Sequence, residues 1–576
     1  MATIALPDMR LTHPPAARTA EYLSRMFDLE QFREIAFRRT AQPDHALRSL
    51  ADAQQAVAEL PAEPLTALAE LTSLAKSMNE TDAFSAERRA RILFILDEAA
   101  RQRWSALSGE YLAPGGRPLA KDGDINILRA FFDSASEFVD GLAIALDHGD
   151  GEKSAWFRDN LARVNMRSLR WLARRLALAH MLRLPVTGAI WEKIHRRQRL
   201  AEEAGVARLV QPVFEGNRHT TSVRQEYVRC LLLELAAPDS MTGREIELAF
   251  RVTGRVAAAV RLEATPSDST VFAVVPAGDA RPVLAGRIGR GLASAALYLD
   301  TTLCLPKLRA GLERDMDRPR AEPDTLYGGE YTIGERFAML ERLLAQWGMD
   351  PPQRRARRVV MGSPARVISG FDNIVNVLPA YEQRVLKDKT IDLQIEIDDT
   401  IQTLNRAKLR AAQRVGPAHV IDASNGGLGI AMRPVDARWA ALGVLVAVLM
   451  EPGKDWIVGV VRRLFSLDEE LRIGIQVLST QPHVLSIATD TLKREQVWED
   501  AIRFEASFNE KYKKAILLDP RADPAAGGDL LLEARLASKG AQFDIPFGAV
   551  RQRIRVARVV HASDSYQRVV YEPLRS

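Results

Sequence analysis

The chain has 576 residues, a formal net charge of +5 and two cysteines, Cys230 and Cys304. That length exceeds one ordinary core and calls for about three or four domains, while the charge is too small to mark a dedicated nucleic-acid binder. Two cysteines supply neither a disulfide framework nor a cysteine-rich zinc site, which suits a reducing, cytoplasmic setting.

With 47% hydrophobic and 27% charged residues the composition is globular. The N-terminus, Met1 to Arg18, has no basic start followed by an apolar core, so no secretory signal is expected. The longest apolar run, Trp439 to Met450, falls well short of the roughly 20 residues a membrane helix needs. No integral membrane segment is expected.

From Glu21 to about Gly205 apolar residues recur at helical spacing, as in Leu65-Leu68-Leu71-Leu74, with Pro and Gly as breaks. Residues 1–205 are therefore read as an all-helical domain. Within it Arg163, Arg167, Arg170, Arg174 and Arg175 recur beside leucines in a stretch without acidic residues. Such a basic amphipathic helix is most simply a solvated face or a contact to an acidic neighbour; the alternative is a nucleic-acid or acidic-membrane surface.

Residues 206–346 read as an α-rich mixed domain, with helices over Gln225–Ala236, Gly243–Leu262 and Thr302–Glu313 and a strand over Thr270–Val275. Its glycine-rich run Gly286 to Gly291 lacks the order and the βαβ setting of a dinucleotide fingerprint. Asp317–Asp324, with two prolines among charges, is the best linker candidate. A short helix, Glu335–Trp347, then stops at Gly348 and Pro351-Pro352.

Residues 347–490 read as a small antiparallel β-barrel. Strands are expected at Val359-Val360, Ala365–Gly370, Ile374–Leu378, His419–Ile421, Leu428–Met432, Leu442–Leu449, Trp456–Leu464 and Leu471–Leu478. Residues 379–414 interrupt them as a largely helical insertion, in which Leu386, Leu393, Ile397 and Leu404 approximate a heptad seam, so 386–411 offers a route to homo-oligomers. Residues 491–576 read as a helix, Glu495–Lys514, and a β-rich C-terminal extension, either part of the barrel or a second small module. The fold class is multidomain α+β.

Two stretches carry the chemistry: the cluster Gln353-Arg354-Arg355-Ala356-Arg357-Arg358 and the turn Asp422-Ala423-Ser424-Asn425-Gly426-Gly427-Leu428-Gly429. A guanidinium grips a phosphate through two parallel hydrogen bonds, stacks on a flat base, and pairs with guanine O6 and N7. A carboxylate at Asp422 suits the guanine N1/N2 donor edge, Ser424 adds a short hydrogen bond, and Gly426, Gly427 and Gly429 allow close backbone approach or a positive φ.

In this order the stretches resemble the PilZ domain. Arg354 and Arg358 fit its RxxxR element and Asp422 to Gly427 fit its [D/N]xSxxG element, over roughly residues 350–485, leaving the helical N-terminal half unassigned. The resemblance implies a six-stranded barrel that binds cyclic di-GMP, with Arg354, Arg355, Arg358, Asp422, Ser424, Gly426 and Gly427 as ligand-binding residues. Arg358 and Asp422 are separated by 63 residues, far more than the family's usual strand and turn, so residues 379–414 must loop out. Arg406, Arg410 and Arg414 are rival sources of the arginine element.

Enzyme signals are poor. Asp147-His148-Gly149-Asp150 is more simply a helix connection than a metal loop, and no nucleophile pairs with a base. The expectation is therefore a cytoplasmic cyclic di-GMP receptor with no catalysis, cofactor or metal, acting through an unidentified protein partner of the helical region. The alternatives are a PilZ-like scaffold that binds no nucleotide, and a nucleic-acid or acidic-membrane binder using helix 163–175.

Overall fold

The structure is a computed structural model and describes residues 47–81, 84–111, 122–149, 154–216, 219–353, 358–385, 416–450, 455–467, 469–488, 512–518, 527–547 and 550–574. It forms two compact units, one of residues 1–113, 122–172 and 200–223, the other of 114–121, 173–199 and 224–576.

The first unit is built on long helices, Pro64–Asn79, Ala86–Tyr111, Asp122–Gly149 and the first part of Ala155–Met181. Local signals start them: Ser49 and Asp52 form a capping box for Leu50–Ala58, and Glu63 caps Pro64–Asn79 with proline at the first position. The apolar spacing of Leu68, Leu71, Ala75 and Met78 buries one face. Trp104 stacks on Phe131 at 4.2 Å, and Trp171 stacks on Phe138 at 4.6 Å.

The basic helix is not a solvated face. Arg167 is 1% exposed, lies 3.8 Å from the Phe94 ring and pairs with Asp97 at 3.1 Å and Glu98 at 2.7 Å. Those carboxylates belong to helix Ala86–Tyr111 of the same unit, so this arginine is spent inside the fold.

The second unit opens with a helical layer and a small sheet. Its helices include Val223–Leu235, Gly243–Val256, Leu305–Arg314 and Ile333–Trp347. After a two-stranded ribbon of β1 (Gln211–Pro212) and β2 (Thr220–Thr221) in the first unit, the sheet of the second unit has β3 (Arg261–Glu263), β4 (Phe272–Val274), β5 (Val283–Leu284) and β6 (Leu297–Asp300) in the order β3-β6-β4-β5. The helix expected to reach Leu262 ends at Val256, and Leu262 pairs with Leu299 in the sheet.

The expected linker 317–324 is pinned. Arg336, 3% exposed, pairs with Asp315 and, at 2.8 Å, with Asp324, whose carboxylate also accepts from the N–H groups of Leu326 and Tyr327. Proline and charge marked the segment as loose, but buried ionic partners hold it.

Two closed six-stranded barrels follow. The first contains β7 (Val359–Ser369), β8 (Gly416–Ser424), β9 (Gly427–Met432), β10 (Leu445–Met450), β11 (Trp456–Leu467) and β12 (Glu470–Ser479), in the order β7-β8-β9-β12-β11-β10. The second contains β13 (His483–Ala488), β14 (Tyr512–Leu517), β15 (Gly528–Glu533), β16 (Gln542–Phe547), β17 (Val550–Ala562) and β18 (Tyr566–Pro573), in the order β13-β14-β15-β18-β17-β16. Adding six to each strand number of the first order reproduces the second. The C-terminal extension is therefore a complete repeat of the barrel, and Tyr512–Lys514, expected at a helix end, begins its second strand.

The barrels share an apolar seam. Ile374, Leu378, Ala447 and Val458 pack with Ile516 and Leu531 in one cluster. This explains the continuous apolar run at β10: Val446 and Val448 face the first barrel's interior, while Leu445, Ala447 and Leu449 face the seam.

The expected strand Ile374–Leu378 is helical, within Phe371–Val385, because Phe371, Ile374, Val375 and Leu378 sit at helical spacing against that seam. Pro379 inside this helix has no N–H for the Val375 carbonyl, which instead accepts from Lys514 Nζ at 3.3 Å. The rest of the expected insertion, with its heptad seam, lies outside the described residues.

The first barrel is also tied to the helical layer. Arg183, at φ 57°, donates to the carbonyls of Met241 at 2.6 Å and Leu464 at 3.4 Å, and Ser466 Oγ donates to the Arg183 carbonyl. Beside this joint, His180 is buried with Nε2 3.1 Å from Glu234 and Nδ1 3.4 Å from Asp239. Among the described residues no helix is long and apolar enough to cross a membrane.

Candidate functional site

Strand β7 has 11 residues, and only Ala365–Ser369 pair with β10. Its first half runs on as an overhang paired with β8, Val359 opposite Ala423 and Val360 opposite Asp422, before a bulge ahead of Ser363. The overhang exposes Val359 and Val360, at 67% and 83%. It brings Arg358 to the end of β8, where the Arg358 guanidinium donates to Asp422 Oδ1.

Both partners of this ion pair are 23% exposed, so solvent reaches it. A pair in that setting adds little stability; its significance is positional. It places a bidentate cationic donor beside a carboxylate acceptor on an open surface.

The floor beneath the pair is backbone. Asp422 is the cross-strand partner of Gly429, and Ser424 of Gly427. A Cβ at Gly429 would overlap Asp422 Oδ1 and come within 3.1 Å of Arg358 Nη1; one at Gly427 would lie 3.5 Å from Arg358 Nη2 and 3.6 Å from Ser424 Oγ. The flanking Leu428 and Ile430 are buried in the barrel core, which puts both glycines on the outer face.

Ser424 Oγ donates to the Gly427 carbonyl at 3.3 Å and closes the turn. Gly426 stands in that turn with nothing within 4 Å of its Cβ direction. None of Gly426, Gly427 or Gly429 has a positive φ, so of the two roles expected for these glycines, close approach is the one at Gly427 and Gly429.

The structure thus brings together Arg358, Asp422, Ser424 and Gly427, with Gly426 in the turn. Arg354, Arg355 and the rival Arg406, Arg410 and Arg414 lie outside the described residues. The motif pattern stops at Gly427, but alternation along β9 puts Gly429 on the same face, and this residue makes room for the ion pair.

Other stretches singled out in the sequence are structural. The Gly286–Gly291 run forms short 3-10 turns with open space beside its glycines. Asp147 and His148 end helix Asp122–Gly149, and no group of three or more metal-binding side chains occurs among the described residues.

Residues 51–267 match a family described as the N-terminal domain of the cyclic-di-GMP receptor FimW. The match covers less than half of the chain and ends before the barrels. No curated protein matches the chain.

Proposed function

We propose that the protein is a cyclic di-GMP receptor whose first barrel holds the ligand at Arg358, Asp422, Ser424 and the Gly427–Gly429 floor, with Arg354 and Arg355 completing the arginine element. The observation that carries this reading is the meeting of Arg358 and Asp422, 64 positions apart, over a backbone floor. The resemblance of residues 51–267 to a cyclic-di-GMP receptor supports it from a separate part of the chain.

The chemistry follows from the groups. Asp422 accepts from the guanine N1 and N2 donors, and Arg358 turns from Asp422 to guanine O6/N7 or to a phosphate oxygen. The glycines let a flat purine approach the sheet. Ligand exchanges one ion pair for several charge-assisted bonds, so the empty site keeps its groups positioned at small cost.

The role is that of a binding and effector protein rather than an enzyme. Ligand shifts domain arrangement only by binding one arrangement better than another. In sequence the arginine cluster directly follows residues 348–352, and the helical region is the surface for a protein partner.

Calorimetry on the full chain tests this. Cyclic di-GMP binds the wild type, and Asp422→Ala weakens binding by about two orders of magnitude, roughly 2.7 kcal/mol. Absence of binding at high micromolar ligand would leave the alternative of a non-binding scaffold.

A further inference from the structure

The outer row that contains Asp422 does not stop at Gly429. Gly429 pairs with Gly474 of β12, and Gly474 pairs with Arg463 of β11, across a bulge after Val461. Cross-strand partners share a face, so Asp422, Gly429, Gly474 and Arg463 form one line across four strands. The two adjacent glycines carry no side chain of their own, so Asp422 leans over one and Arg463 over the other on a backbone floor.

Strand spacing of about 4.8 Å makes it roughly 14 Å from the Asp422 strand to the Arg463 strand. The Arg463 side chain lies over the far glycine: a Cβ on Gly474 would be 3.1 Å from Arg463 Cβ, 3.6 Å from Cγ and 3.8 Å from Cδ. One row nearer the turn, Gln476, the partner of Gly427, accepts from Arg462 Nε at 2.9 Å and forms a polar side wall.

We propose that the binding surface extends along Gly429 and Gly474 to Arg463, so that Arg358 with Asp422 and Arg463 form the two ends of one trough fitted to a flat purine dinucleotide with two phosphodiesters. The proposal rests on the ligand reading above and adds a residue that neither sequence motif contains. A single glycine would only relieve the ion pair; the second glycine, with an arginine laid over it, is what a longer planar ligand requires. Burial and the nearby Arg463 together hold the Arg342 guanidinium of helix Ile333–Trp347 below its usual pKa. The far end thus has a second guanidinium near Arg463, with the Glu245 carboxylate 3.8 Å from Arg342, where the barrel abuts the helical layer.

The test is calorimetry on the full chain with cyclic di-GMP and with GMP, which fills only one end. Arg463→Gln is expected to weaken cyclic di-GMP about tenfold and to leave GMP within twofold of wild type, with Arg463→Lys intermediate. Arg472→Gln removes the same charge one row away and is expected to change neither. Cyclic di-GMP affinity within twofold of wild type in Arg463→Gln, an equal loss for GMP, or an equal loss in Arg472→Gln would overturn the proposal while the Asp422 site stands. Failure of the wild type to bind cyclic di-GMP would overturn both. Circular dichroism spectra matching wild type establish that each variant is folded.

Discussion

The two barrels have the same strand order, yet differ where a ligand would sit. Strand β7 has 11 residues and β13, its counterpart, has 6. The missing half is the overhang that carries Arg358 to Asp422. On the third strand each barrel begins with glycine, but Gly528 lies on the inward face with Leu530 and Leu532, where a Cβ would meet the Tyr571 hydroxyl at 3.0 Å, whereas Gly427 lies on the outer face beside Arg358 and Ser424. In the second barrel Arg568 is paired with Asp529 on the neighbouring strand. The shared barrel is a scaffold, and one longer strand with a row of outer-face glycines distinguishes the candidate site.

The largest expected effect tests what the barrels share. Leu531 is fully buried in their common seam. Leu531→Ala is expected to destabilise the protein by about 2–5 kcal/mol, seen as a lower midpoint in urea. Loss of signal from both barrels in one transition marks the seam as a joint core; separate transitions would show independent barrels.

The next effect tests what they do not share. Arg358→Ala is expected to weaken cyclic di-GMP about a hundredfold, while Arg568→Ala, in the second barrel, leaves affinity unchanged in the same titration. Equal losses would erase the functional distinction between the barrels.

Gly429→Ala is expected to weaken ligand about tenfold by displacing Asp422, and to cost nothing further in an Asp422→Ala background. A double-mutant cycle measures this coupling. Additive losses would mean that Gly429 acts on something other than Asp422.

The smallest effect concerns the joint that the first barrel makes with the helical layer. Burial opposes charge on His180, but hydrogen bonds to Asp239 and Glu234 outweigh it and hold its pKa above the usual value. Its contribution is therefore fully present below the unfolded pKa of about 6.5 and is lost as pH rises through the raised folded value. Arg183, Arg281 and Glu245 also surround this joint. His180→Gln is expected to flatten the fall in stability from neutral to mildly alkaline pH, measured by urea unfolding at several pH values; an unchanged slope would remove His180 from the joint.

Much of this was legible in the sequence because it depends on local spacing. Apolar periodicity marked the helices and most strands of the first barrel, and residue type and order marked Arg358, Asp422 and Ser424. Ile374–Leu378 was misread because a short apolar run fits strand and helix alike; packing against the seam chose helix. The charged stretch 317–324 looked loose because its partner, Arg336, comes from a later helix. The second barrel carries no motif, so only strand pairing reveals it as a repeat.

Residue type and order alone set which chemical groups exist: an arginine cluster, an acid and serine turn, and glycines alternating along a strand. Tertiary structure decided which of them meet. Register placed Gly429 under the ion pair and aligned Gly474 and Arg463 with it, and closure of the sheet brought Arg358 across 64 positions to Asp422. Cross-strand register is a long-range property, set by which residues turn inward to the core, and no local pattern encodes it alone.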